Sequence, residues 1–306
     1  MKTRTKSHPK RSGFHGVLAA LVTPMKANEE IDYDRLGRFT ENLLKAGVHG
    51  VIPLGSTGEY YALDPLERER VLRATVEAAA GRVPVIAGAN AGATREVIAF
   101  SRQAEALGCA GVMLAPPYYS LPRPEELLAH FRAVNHAIGI PILLYNYPGR
   151  TGVDMTPEFI ERLAALKNVR YVKESTGEMP RITELLRRCG DRLGVFCGCD
   201  TIALESLMVG AVGWVGGVVN VLPRSHVRLF ELAVVKRDLV AARSLFFRML
   251  PLLELFEGGG KYTQFVKAGC KLMGHDVGPP RRPLLGITGA EGARLRAALR
   301  VSRAGG

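Results

Sequence analysis

Val169-Arg170-Tyr171-Val172-Lys173-Glu174-Ser175-Thr176-Gly177 is the stretch from which the chain is best read. Three of its first four residues, Val169, Tyr171 and Val172, are the β-branched and aromatic types that suit a strand, and Glu-Ser-Thr-Gly closes it with turn chemistry. The lysine between them sits at the strand end. A lysine leaving the end of a buried strand is a candidate for imine chemistry on a keto acid, and the ordinary alternative is a solvated side chain. The surroundings of Lys173 decide between the two.

Working outward, short apolar runs alternate with longer amphipathic segments from residue 16 to about 235. Expected strands fall at 17–21, 51–54, 83–87, 111–114, 141–145, 169–173, 194–197 and 213–215. Expected helices fall at 34–46, 65–80, 94–107, 124–138, 157–166, 180–189 and 201–208, with an eighth opening near Pro223. Several begin at Pro after Asp or Thr, as helix starts do. Such alternation demands a mainly parallel sheet, and eight units in this length fit a closed α/β structure, the (β/α)8 TIM barrel. A doubly wound open sheet is the competing fold, but no G-x-G-x-x-G follows the first expected strand. The expected organisation is a basic disordered tail at 1–13, a barrel catalytic domain at 14–235, and a C-terminal helical region at 236–306 that serves packing or assembly. Residues 301–306 are expected to fray.

A content of 47% hydrophobic and 23% charged residues suits a large core. No apolar run approaches the roughly 20 residues of a membrane-spanning helix, so no membrane partner is expected. Residues 1–12 carry five Lys or Arg, but no apolar segment follows them to act as a signal-peptide core. The net charge of +12 suggests nucleic acid, yet beyond the tail the basic residues stand among acids, as in Glu67-Arg68-Glu69-Arg70, without interleaved aromatics. Nucleic acid is therefore excluded as a partner, while a basic surface still draws anionic substrates. Cys109, Cys189, Cys197, Cys199 and Cys270 have neither disulfide-framework nor metal-site spacing, and a reducing cytoplasm is the expected setting. The seven histidines form no H-x-H or H-E-x-x-H pattern, so no metal is expected.

In such a barrel the chemistry collects where strands end. Gly55-Ser56-Thr57-Gly58-Glu59 follows strand 2, Pro116-Pro117-Tyr118-Tyr119 follows strand 4, and Tyr145-Asn146-Tyr147-Pro148-Gly149-Arg150-Thr151-Gly152 ends strand 5. Lys173 ends strand 6, Gly198-Cys199-Asp200 follows strand 7, and Val215-Gly216-Gly217 ends strand 8. Lysine attacks a carbonyl only when neutral, and burial in the barrel mouth is the means of making it so. Tyr145, one strand earlier, is placed to relay protons if its hydroxyl meets another; otherwise it is a core aromatic. The closely spaced N–H groups of 55–58 suit a carboxylate, or else form a plain turn. Arg150 can pair with a second carboxylate, or remain solvated.

Four of these stretches, Gly55–Glu59, Tyr118-Tyr119, Tyr145–Gly152 and Val172–Gly177, resemble the dihydrodipicolinate synthase / N-acetylneuraminate lyase family, in order, over residues 14 to about 290. The resemblance implies a cofactor-free class I lyase or synthase in which Lys173 forms an imine with pyruvate or another 2-keto acid. It also implies that Tyr145 relays protons, that Ser56 and Thr57 hold the carboxylate, and that Tyr119 completes the relay across a subunit interface in a homotetramer of tight dimers. Gly55, Thr57, Arg150, Gly198, Asp200 and Val215 are the expected substrate-binding residues, and Lys173, Tyr145, Ser56 and Tyr119 the catalytic ones. Arg150 before Thr-Gly and the Tyr118-Tyr119 pair resemble the synthase that condenses pyruvate with aspartate semialdehyde. Ser56 departs from the threonine usual there, and Thr201 departs from the glutamate of the neuraminate lyases. Aldolases, dehydratases or deaminases of 4-hydroxy or 3-deoxy keto acids, or of a hydroxyproline-derived pyrroline carboxylate, stay open. So does a non-catalytic keto-acid-binding barrel.

Overall fold

The alternation folds into eight parallel strands in a computed structural model that describes residues 13–303. The expected basic tail lies, except for Gly13, outside the described residues. The strands are β1 Gly16–Ala20, β2 Gly50–Ile52, β3 Ile86–Gly88, β4 Gly111–Leu114, β5 Ile142–Asn146, β6 Val169–Glu174, β7 Gly194–Cys197 and β8 Gly213–Gly216. They lie in the order β2-β1-β8-β7-β6-β5-β4-β3, and a parallel bridge between Val51 and Val85 joins the two ends of that row. The barrel is thereby closed.

Helices alternate with the strands: α1 Tyr33–Lys45, α2 Pro65–Ala79, α3 Thr94–Ala106, α4 Pro124–Ala137, the single turn α5 Pro148–Thr151, α6 Pro157–Leu163, α7 Met179–Cys189, α8 Ala203–Val209 and α9 Pro223–Phe230. Their starts follow the sequence signals. Asp64 accepts the backbone N–H of Glu67, whose carboxylate returns to the N–H of Asp64, so α2 opens on a complete capping box. Three further helices complete the chain: α10 Leu239–Gly258, α11 Tyr262–Leu272 and α12 Gly289–Arg303. The end of α12 corrects the expectation of fraying at 301–303, since the helix continues through Arg303 with Ser302 buried and its hydroxyl bonded to Ala298 O, while 304–306 lie outside the described residues. A buried face at the last turn outweighs the usual loosening of a terminus. The segment expected as a helix at 157–166 is helical only to Leu163, and that expected at 201–208 starts as a helix at Ala203 after a tighter turn.

Side chains alternate across each strand, and this sorts the core into two compartments. Leu18, Ala20, Ile52, Ile86, Met113, Leu143, Tyr145, Phe196 and Val215 fill the barrel interior. Val17, Ala19, Val51, Val112, Leu144, Val172, Val195 and Trp214 point outward into the larger core under the helices. The interior is packed rather than open, so only its rim is left for function. Among the described residues no helix is long and apolar enough to cross a membrane.

Two histidines are buried in this outer core. His226 stacks on Trp214 at 4.3 Å between ring centroids and bonds through Nδ1 to Leu222 O, and His130 bonds to Thr94 Oγ1. Burial pushes both imidazoles down to about 4. A histidine held below its unfolded value of about 6.5 stabilises the fold fully above that pH, and its contribution is lost as pH falls toward 4. Asp200, whose carboxyl is pushed up by burial, acts in the opposite sense. The histidine effect therefore has to be read as a difference between proteins. The stability gap between wild type and His226→Phe, measured by urea denaturation, should narrow between pH 7 and pH 5; a constant gap would mean that His226 is not held neutral.

Candidate active site

Period-two alternation decides which residue of the 169–177 stretch enters the barrel. Tyr171 and Lys173 face inward while Val172 joins the outer core, and the register sets Lys173 between Tyr145 of β5 and Phe196 of β7. Lys173 is 7% exposed, and its ammonium nitrogen lies 4.3 Å from the Tyr145 ring centroid. Among the described residues that nitrogen makes no hydrogen bond or ion pair, so nothing competes with an incoming carbonyl. Gly198 gives it room, because a Cβ there would collide with Ser175 Oγ and with the Lys173 side chain itself.

The loop after β2 is held in an unusual shape. Leu54 and Glu59, on either side of Gly55-Ser56-Thr57-Gly58, have left-handed backbones with φ of 60° and 57°. Such conformations persist in non-glycine residues only where the surroundings enforce them. Here the enforcing partner is a buried ion pair, Glu59 with Lys267 of α11 at 2.5 Å, their side chains 0% and 2% exposed. Glu59 also accepts the backbone N–H of Arg281, and Lys267 donates to Pro279 O. Gly58 N and Glu59 N close the turn onto Gly55 O and Ser56 O, whereas the N–H groups of Ser56 and Thr57 have no acceptor among the described residues.

A third cluster comes from β7, β8 and the C-terminal helices. Asp200 is fully buried and accepts Trp214 Nε1–H at 2.8 Å and the Tyr262 hydroxyl at 2.5 Å. Tyr262 in turn accepts Gly217 N–H, and Glu257 in the last turn of α10 accepts Asp200 N–H at 2.9 Å. Burial, and then the nearby negative charge of Glu257, push the Asp200 carboxyl up.

One small pocket joins these pieces, lined by Ser56, Thr57, Tyr145, Arg150, Lys173 and Gly198 together with Tyr147, Ser175, Gly217, Glu257 and Tyr262. Four expected residues do not line it. Gly55 turns the loop behind Ser56, Asp200 is bonded behind Tyr262, and Val215 fills the interior below. Tyr119 is 97% exposed on a left-handed backbone. Sequence reasoning missed Glu257 and Tyr262 altogether, having assigned their region to packing. The one available signal was a glutamate in the last turn of a helix, where the dipole disfavours it. A larger cleft of about 880 Å³ between α1, α9, α10 and α12 contains none of the strand-end residues.

The arrangement has known counterparts. The sequence profile of the dihydrodipicolinate synthetase family matches residues 13–302. A 4-hydroxy-tetrahydrodipicolinate synthase of Halorhodospira halophila is 41% identical over 290 residues, covering 94% of this chain and 96% of its own. The crystal structure of dihydrodipicolinate synthase from Aquifex aeolicus superposes with a TM-score of 0.89 at 33% identity, covering 94% of this chain and 97% of its own. That of the chloride-inhibited enzyme from Acinetobacter baumannii, complexed with pyruvate, gives 0.88 at 30% identity, covering 94% and 98%.

Removing one partner of the buried pair leaves the other charged and unpaired. Lys267→Met should lower stability by about 3–5 kcal/mol in urea denaturation, and Glu59→Gln added to it should recover part of the loss. Equal stabilities for wild type and the single variant would show that the pair does not hold the loop.

Proposed function

We propose, for a chain that belongs to the dihydrodipicolinate synthetase family, that it is a class I Schiff-base enzyme condensing pyruvate with an aldehyde such as aspartate semialdehyde. The observation that carries the reading is Lys173, buried on the inner face of β6 beside Tyr145 and unpaired among the described residues. The named activities of its relatives and the pyruvate bound by one of them point the same way.

On this reading the carboxylate of pyruvate rests on the free N–H groups and hydroxyls of Ser56 and Thr57. The neutral Lys173 nitrogen adds to the keto carbon, and the Tyr145 hydroxyl delivers the proton with which the carbinolamine oxygen leaves as water. Loss of a methyl proton then gives an enamine, whose terminal carbon adds to the aldehyde carbon while the aldehyde oxygen takes up a proton. Arg150, without an acidic partner among the described residues, is the group that would hold the carboxylate of the second substrate.

We place the protein in a reducing cytoplasm as a homotetramer of tight dimers, with Tyr119 completing the relay of a partner subunit. Five free cysteines support the setting. The exposure of Tyr119 and of its chain neighbours Tyr118 and Leu121 supports the assembly, since large exposed apolar groups mark interaction surfaces.

Intact-protein mass spectrometry after borohydride reduction with pyruvate tests the reading. Wild type should gain a pyruvyl adduct that Lys173→Ala lacks, and aspartate semialdehyde should be consumed only by wild type. No adduct with any keto acid would leave a binding protein. An adduct with turnover only of 4-hydroxy or 3-deoxy keto acids, or of the pyrroline carboxylate, would make the enzyme an aldolase, dehydratase or deaminase.

A further inference from the structure

The cleft of about 880 Å³ between α1, α9, α10 and α12 is lined by Lys45, Arg224, Arg228, Arg248 and Arg303, and among the described residues no Asp or Glu lines it. Arg224 and Arg228 stand one turn apart on α9 and so share a face. Arg248 of α10 is held by Ser244, one turn back, whose hydroxyl accepts its Nη1 at 3.0 Å.

The fold leaves most of this charge unmatched. Arg224, Arg248 and Arg303 have no ion-pair partner among the described residues. Arg228 approaches Glu231 and Lys45 approaches Glu41 only to 3.7 Å, and Glu41 gives both of its oxygens to Arg82. Elsewhere arginines are closely matched, as Arg73 with Glu69 and Arg281 with Glu67, both at 2.7 Å. Like charges gathered in a concave surface repel one another, and the low-dielectric walls of a cleft concentrate their field on whatever enters. A single carboxylate occupies one guanidinium, so several unpaired guanidiniums call for an anion with more charge and more oxygens.

The remaining lining limits what that anion is attached to. Leu222, Leu232, Leu245 and Met273 belong to it, and no Phe, Tyr or Trp does among the described residues. Such a surface suits an alkyl chain, whereas a nucleobase gains most from an aromatic ring to stack on. The volume is within the range of roughly 300–1,000 Å³ usual for small-molecule sites.

From this combination we propose that the cleft binds the diphosphate ester of an aliphatic alcohol, its arginines taking the phosphate oxygens and its leucines and methionine covering the chain. Arginine presents the planar fork of donors that phosphate oxygens fit. The cleft shares no lining residue with the pocket of Lys173, so the inference stands apart from the Schiff-base reading.

Calorimetry on the full-length protein, without added metal, tests it with orthophosphate, isopentenyl diphosphate and ADP. Wild type should bind isopentenyl diphosphate about tenfold or more tighter than orthophosphate, as one further charge-assisted contact provides. It should bind ADP several-fold more weakly than isopentenyl diphosphate, since ADP carries the same diphosphate on a body that finds no ring. The double variant Arg224→Gln/Arg248→Gln should lose about tenfold or more in affinity for isopentenyl diphosphate while its urea midpoint matches that of wild type. If the double variant is unstable, Arg224→Gln alone, at an exposed side chain, decides the same question. Saturation with pyruvate should leave the affinity unchanged. The proposal is overturned if isopentenyl diphosphate does not bind, if orthophosphate or ADP binds as tightly, or if the variants keep the wild-type affinity. Displacement of the probe by pyruvate would also overturn it, by placing the probe at the strand ends.

Discussion

Closure of eight parallel strands around a filled interior is the constraint on which everything else in this protein depends. Once Val51 and Val85 bridge the ends of the row, every strand points its C-terminal end to the same rim, and the interior below is occupied by Leu18, Ile52, Ile86, Met113, Leu143 and Phe196. A polar side chain on an inward position has one tolerable location, the last layer before solvent. Tyr145 and Lys173 occupy that layer side by side because their strands are in register. The lysine is buried as a consequence of barrel geometry and needs no separate device.

The rim does not complete itself. The loop after β2 needs two left-handed residues to bring Ser56 and Thr57 to the pocket, and the barrel alone offers nothing to hold Glu59 in that conformation. The C-terminal helices do so from outside. Lys267 enters to pair with Glu59, Tyr262 joins Asp200 to Gly217, and Glu257 caps the N–H of Asp200. A buried ion pair adds little net stability, because desolvation opposes the attraction between its partners. Its physical value here is geometric, since it allows one arrangement of the loop and disfavours others.

That division of labour explains what could be read in the sequence. Lys173, Tyr145, Ser56, Thr57, Arg150 and Gly198 were legible because strand periodicity and strand-end turns are local signals, and six of the residues so identified line one pocket. The eight strands were legible for the same reason, with ends shifted by up to three residues, as where β3 starts at Ile86 and not at 83. Glu257 and Tyr262 were not, because their helices reach the mouth through packing against elements far away in sequence, and no short motif encodes that approach. The end of α12 was misread on the same ground: Ser302 looks like any terminal serine until the surface that buries it is known.

The electrostatics of the rim follow from the same two-part construction. The barrel supplies its basic side chains, Lys173 and Arg150, and the closing helix supplies the carboxylate of Glu257. Lys173 can act as a nucleophile only without a proton, so a carboxylate placed against it would oppose the chemistry by stabilising the ammonium form. Among the described residues Lys173 has no ion-pair partner, and Glu257 is instead tied through one oxygen to the backbone of Asp200. The reacting nitrogen is thereby left without a carboxylate against it, and the acid of the closing helix holds the turn after β7.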